Sequence, residues 1–399
     1  MSKKTSNRSD KGFRSQSSSS TRNLLKRILR LLPGILFAVL TVFLFSRVSM
    51  LHKVQNLVID ARMKLNEAPN QSEVAIVEIS DDDYRQLFDA IRPLDPTKLR
   101  SLISAIALCR PKLIAIDIDT SSDKYKALTI DRRWPPIVWE RESKETPGNV
   151  DEVIEPLSVL GEQDALFDSN SGFPFLIEDS EDKVTRRYRR SVNTTNGILP
   201  TFTSVIIARA GNEKTRSFQL SAPDEFFIRY SADRDGSRRT VMNASQVVEL
   251  AKAGHVASDN VLRDKIVLVG GTYLGEDRHE TPLGVLNGVE ILGQVVETEL
   301  QGGGDRSPTR LTTSVLEIFE AILVVILFQL FRRYSFITAV LINAGVVLLV
   351  ALVCSLTTFR SVFHLTYFLP ILVIVLLFEF VFEYRSHIVM GWRKQLPAE

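Results

Sequence analysis

Asp117 and Asp119 close the run Lys112-Leu-Ile-Ala-Ile-Asp-Ile-Asp119, and Asp277, Arg278 and His279 stand together in a later polar stretch. Two carboxylates spaced two residues apart on a strand point the same way. With Asp277 and His279 they could ligate a divalent cation, or act as an acid and base pair in hydrolysis. Arg278 and His279, next to Thr281 and Pro282, suit contact with an anionic ligand. The plainer readings are a strand that ends in polar loop and a hydrogen-bonded loop that braces a sheet edge. Nothing local forces metal or catalysis, so Asp117, Asp119, Asp277, Arg278 and His279 are taken as ligand-binding candidates, with no catalytic residue, metal ligand or cofactor assigned.

Other motifs are weaker. Gly270-Gly271 lacks both the Gly-Lys-Ser/Thr ending of a phosphate loop and full Gly-x-Gly-x-x-Gly spacing. A tight turn whose backbone angles only glycine tolerates accounts for the pair. Asp81, Asp82 and Asp83 follow Ser80, and hydroxyl capping plus acids at the positive end of a helix dipole explain them more simply than a metal does. Arg186, Arg187, Arg189 and Arg190 form the one basic cluster of the middle region, expected as a solvated or self-paired face. Cys109 and Cys354 cannot build a metal cluster, and Cys109 reads as a small core hydrophobe.

The elements that position these residues alternate. Glu73–Ile79 is strand-like, and Lys98–Cys109 places Leu99, Leu102, Ile103 and Ile106 on one helical face after the turn Pro93-Leu-Asp-Pro96. Lys112–Asp119 suits a buried parallel strand, and Ile137-Val-Trp139 a third. Helices are expected over Pro200–Ala210, Ala244–Ala253 and Val289–Leu300, and an extended stretch over Phe226–Tyr230. Lys265–Gly271 is a buried strand, followed by a polar loop over Thr272–Pro282. Strand, helix, strand order implies an α/β domain with a mostly parallel sheet covered by helices. In such sheets ligands bind beyond the carboxyl ends of strands, where Asp117, Asp119 and the loop around Asp277 fall.

Four apolar runs frame this domain: Ile28–Phe45, Val315–Phe331, Phe336–Leu356 and Val362–Phe382. Each is long enough, or nearly so, to cross a hydrocarbon layer that takes about 20 helical residues. The expected organisation is a disordered basic tail (1–27), one N-terminal transmembrane helix (28–50), the large domain (51–310), three C-terminal transmembrane helices (311–333, 334–356, 361–384) and a short tail (385–399). Eight cations and the single acid Asp10 precede the first run, with Arg30 at its start, and Arg332, Arg333, Arg385, Arg393 and Lys394 also fall on the expected inner side. Both termini are therefore expected in the cytoplasm and the large domain outside it, in a multi-pass protein of the cell inner membrane or plasma membrane. A cleaved signal peptide would export the domain equally, but Ser46-Arg47-Val48-Ser49-Met50 gives no clear small-residue cleavage site. The net charge of +2 is nearly balanced and its basic excess sits in the tail, so no nucleic-acid partner is expected.

A resemblance then emerges. Asp60-Ala-Arg62, Val74–Asp82, Pro93-Leu-Asp95, Ile114-Ala-Ile-Asp117, Lys265–Gly271, Gly275–Gly284 and Gly288-Val-Glu-Ile291 occur in an order similar to the CHASE type 2 family, with three apolar runs behind them. That family comprises extracytoplasmic sensory domains of bacterial histidine kinases, nucleotide cyclases and related receptors. Two stretches depart from it: Pro96 stands where the family usually carries Arg, and Arg132–Asp164 matches poorly. The resemblance implies a sensor of an unidentified small ligand, working in pairs as a homodimer. Only about 17 residues follow the last apolar run, so a kinase or cyclase output is not expected, and signalling must pass through a membrane partner. The rival expectations are an extracytoplasmic metal-dependent hydrolase and a structural envelope scaffold.

Overall fold

Val74-Ala-Ile-Val-Glu-Ile79 carries apolar side chains on both alternating faces, which demands cover on both sides. The computed structural model describes residues 49–64, 71–144, 153–161, 169–211, 224–231, 239–252 and 260–306, together with Gly345. In chain order, helix α1 (Ser49–Lys64) is followed by strand β1 (Val74–Ile79), helices α2 (Asp81–Gln86) and α3 (Pro96–Leu108), and strands β2 (Leu113–Asp117), β3 (Ile137–Glu140) and β4 (Ser171–Gly172). Next come β5 (Leu176–Glu178), β6 (Thr185–Arg189), β7 (Ser191–Thr194), β8 (Gly197–Pro200), α4 (Phe202–Arg209) and β9 (Glu225–Phe227). The last elements are β10 (Thr240–Asn243), α5 (Ala244–Lys252), β11 (Ile266–Gly271), β12 (Arg278–Thr281), β13 (Gly284–Asn287) and α6 (Gly288–Leu300).

Six strands form one parallel sheet in the order β10-β1-β11-β2-β3-β4. One face, with Ala75, Val77, Ile114, Ile116, Val267 and Val269, packs on Leu99, Leu102, Ile103 and Ile106 of α3 and on Val247 of α5. The opposite face, with Val74, Ile76, Ala115 and Leu268, packs on Phe202 and Ile206 of α4 and on Val289, Leu292 and Val296 of α6. A helix-sheet-helix sandwich results, as the alternation of strands and helices predicts. Cys109 and Trp139 are buried within the first of these cores, and Trp134 packs at its edge under Arg100, whose guanidinium carbon is 5.6 Å from the ring centroid.

The acidic triplet caps helices. Ser80 and Asp83 form a reciprocal capping box on α2, and the buried Asp83 carboxylate also accepts from Ala244 N (3.2 Å) and Ser245 N (3.1 Å) at the start of α5. Asp81 accepts from Leu274 N at 2.9 Å, tying α2 to the chain beyond β11.

Two expectations are corrected and a third is narrowed. Thr272–Pro282 is not an open polar loop: β12 pairs with β13 as an antiparallel hairpin. Of the two readings of the arginine cluster, the self-paired one holds and the solvated one does not: Arg186 and Arg189 are buried on β6, the middle strand of an antiparallel sheet ordered β5-β6-β9, and pair with Asp60, Asp182 and Glu225 of the same chain. Gly270 and Gly271 lie at the end of β11, and neither has a positive φ. Close approach, not turn geometry, requires Gly270: an added Cβ would lie 2.6 Å from Val289 Cβ and 3.2 Å from Asp117 Oδ2.

Residues Ile59–Ser307 form one compact unit, which holds everything described from β1 to α6. Among the described residues no helix is long and apolar enough to cross a membrane. The expected spans lie outside the described residues, apart from Ser49, Met50 and Gly345.

Candidate functional site

Parallel registration sets up a row of residues at the carboxyl edge of the main sheet. Gly270 pairs with Glu78 on one side and Asp117 on the other. Ile116 pairs with Trp139, so one step further Glu140 lies beside Asp117. Residues in one row of a parallel sheet share a face, here the face covered by α4 and α6. Glu78, Asp117 and Glu140 thus turn toward the amino end of α6, and Gly270 leaves the gap between two of them open.

Above this edge opens a cleft of about 1090 Å³. Asp117, Asp119, Asp277 and His279 all line it, so four of the five sequence candidates come together. Arg278 does not line the cleft; alternation along β12 turns it away from His279, and it is exposed. His279 is held from both sides, with Nε2 3.0 Å from Asp277 Oδ1 and Nδ1 3.1 Å from Glu178 Oε1. The hydrogen bond to Asp277 first, and that to Glu178 after it, raise the His279 pKa against the opposing effect of burial. A protonated imidazole donates to both carboxylates. Gly288 keeps Asp277 in place, since a Cβ there would stand 2.0 Å from Asp277 Oδ2.

Further residues of the site were not singled out from sequence. Glu140 and Glu142 line the cleft beside Asp117, as do Tyr125, Tyr273, Phe173, Phe175 and Arg189. The rule that singled out Asp117 applies equally to Glu140, which directly follows the expected strand Ile137-Val-Trp139. Tyr125 and Arg189 carry no such signal, since non-local packing delivers them. The Tyr125 hydroxyl and the Arg189 Nε are buried without a hydrogen-bond partner among the described residues. Arg189 Nη2 does pair with Glu225 Oε1 at 3.1 Å, and its guanidinium lies 4.8 Å from the Phe175 ring centroid. Tyr273 stacks on Tyr84 with centroids 4.3 Å apart.

Carboxylates gather at the cleft floor. Asp117 is pushed well above the usual carboxylate range, first by desolvation, then by Asp277 and Glu142, with His279 opposing. Glu140 is raised likewise by burial, then by Asp117 and Glu142, and it shares a hydrogen bond with Glu142. Neighbouring carboxyls that cannot all ionise hold protons jointly. Among the described residues no group of three His, Cys, Asp or Glu side chains is arranged to hold a metal ion. The floor is therefore rich in carboxyls whose burial favours the protonated form, with apolar and aromatic walls.

No curated protein and no solved structure matches this chain. A family model does match, over residues 35–331, a stretch containing the main sheet, the cleft and every element described. That model is the CHASE2 domain, so the chain belongs to this family of extracytoplasmic sensory domains.

Proposed function

We propose that this protein is a membrane-anchored receptor subunit whose extracytoplasmic domain binds a small ligand in the cleft above Asp117 and Glu140 and signals through a separate membrane partner. The observation that carries this reading is the cleft itself, with charged groups gathered at the carboxyl edge of a parallel sheet, where α/β folds bind ligands. Family membership supports the sensory role. The wiring from cleft to chain ends supports it too. Strand β6 lends Arg189 to the cleft, Arg186 to Asp60 of α1 (2.6 Å) and Tyr188 to Glu299 of α6. Arg190, just past β6, joins the same Glu299 at 2.8 Å.

The test is a thermal-shift screen of the full-length chain against small molecules of every charge class. A stabilising compound is expected for the wild type, with its effect lost in Asp117→Asn. If no compound of any class shifts the melting temperature, the receptor reading fails and a scaffold role takes its place. Turnover of a bound compound would instead favour a hydrolase.

A further inference from the structure

Among the described residues that line the cleft, carboxylates outnumber cations even with Lys183 and Arg141 counted. Arg92 pairs with Glu276 at 2.6 Å, Arg189 with Glu225, and His279 with Asp277 and Glu178. Arg141 donates from Nε to Ser171 Oγ at 3.1 Å. Asp117, Glu140 and Glu142 are left packed together at the floor, with Asp119 behind them. Two hydrogen-bonding groups in the same cleft, the Tyr125 hydroxyl and the Arg189 Nε, are at the same time buried without a partner among the described residues. Buried donors of this kind are rare unless a ligand or water answers them. Tyr125 is fully buried and close enough to Asp119 to feel its charge, and Arg189 is 5% exposed.

We propose that the cleft takes an organic ammonium compound that also carries an oxygen acceptor, its ammonium lodged among Asp117, Glu140 and Glu142 and its oxygen meeting the Tyr125 hydroxyl and Arg189 Nε. This rests on the receptor reading above and narrows it to a ligand class. An anion would face the carboxylates, and a neutral sugar would leave their charge unbalanced. A bare metal ion lacks a ligand set among the described residues. Tyr273, Phe173 and Phe175 give the ligand's carbon body apolar and aromatic walls, which also favour a nearby organic cation.

The geometry carries a proton linkage. Around Asp117 and Glu140 stand Glu78 on β1, Arg92 before α3, Asp119 and Tyr125 after β2, Arg141 and Glu142 after β3, Tyr273, Glu276, Asp277 and His279 from the end of β11 to β12, and Glu178, Lys183 and Arg189 from the antiparallel sheet. Burial first, and the neighbouring acids after it, shift the two packed carboxyls toward the protonated form, and an incoming ammonium displaces that proton. Affinity must then rise with pH, by about tenfold per pH unit for each proton released.

The experiment is calorimetric titration of the full-length chain with lysine and ethanolamine, alongside succinate, glucose, magnesium chloride and calcium chloride. Binding of lysine or ethanolamine, tighter at pH 8 than at pH 6 and weakened at least tenfold by Glu140→Gln, is the expected result. Glu142→Gln, at a partly exposed position, provides a second variant, and each variant's own melting curve shows that it is folded. Binding of succinate, glucose or a metal salt alone overturns the ligand class while leaving a receptor standing. Ammonium binding that is flat with pH or unmoved by both variants places the contact elsewhere and overturns the proposal. Absence of binding by lysine and ethanolamine overturns the ammonium proposal, and the thermal-shift screen decides the receptor reading separately.

Discussion

Asp117 and Glu140 weaken the fold in order to furnish the cleft. Their carboxyls have pKa values raised above those of the unfolded chain, so the folded state binds more protons across that interval. Stability is then full below about pH 4, where both states are protonated, and falls as pH climbs through the raised values. Melting temperature should drop as pH rises from the ordinary carboxylate range in the wild type, whereas Asp117→Asn combined with Glu140→Gln should flatten the profile and melt higher at neutral pH. His279 contributes in the same direction: its raised pKa adds stability at acid pH that is lost as pH rises through the folded value. Gly288→Ala should cost about 1–3 kcal/mol in urea unfolding, because the new methyl group has to displace Asp277. The same variant should move the His279 imidazole resonances toward an ordinary titration, since Asp277 is its leading partner. At this scale the sequence was informative where chemistry and strand ends coincide, as at Asp117 and Asp119. It was silent on Tyr125 and Arg189, whose place in the cleft depends on distant segments meeting, and it did not separate Arg278 from His279, because the strand alternation of β12 that turns Arg278 outward was not visible in a polar stretch.

Apolar periodicity marked the elements of the main sheet, and β1, β2, β3, β11, α3, α4, α5 and α6 all lie within a few residues of where it placed them. The antiparallel elements escaped for a physical reason. Thr-Arg-Arg-Tyr-Arg of β6 has no hydrophobic alternation, because its arginines are neutralised by carboxylates from elsewhere in the chain. Arg186, 2% exposed, sits between Asp60, Asp179 and Asp182. Truncating one partner of such a cluster leaves the others with unanswered charge. Arg186→Ala should therefore destabilise the domain by roughly 3 kcal/mol in denaturant unfolding. Asp60→Asn keeps the shape of the contact and should weaken it less. If β6 relays occupancy of the cleft, Asp60→Asn should leave ligand affinity intact while removing the ligand-induced protection of α1 amides from hydrogen exchange.

For the whole chain, the four apolar runs and the flanking cations make a prediction about compartments. A tag after Glu399 should resist protease added to intact cells. A cysteine replacing the exposed Glu276 should react on the same cells with a membrane-impermeant maleimide, against a background in which Cys109 is buried. Digestion of the tag, or labelling only after lysis, would place the domain on the wrong side for a receptor of outside ligands.

The folded unit receives its polypeptide and releases it against the same small antiparallel sheet. Asp60 of α1 grips Arg186 on β6 at the way in; at the way out Phe227 N of β9 donates to Asp305 O at 2.8 Å, and Gly304 N to the Tyr188 hydroxyl at 3.1 Å. Anyone trimming this protein for crystals should therefore begin the fragment upstream of Asp60 and end it beyond Arg306. A cut at Glu73, which looks natural from the first strand of the main sheet, discards the nearest carboxylate of a buried guanidinium and should yield an insoluble product.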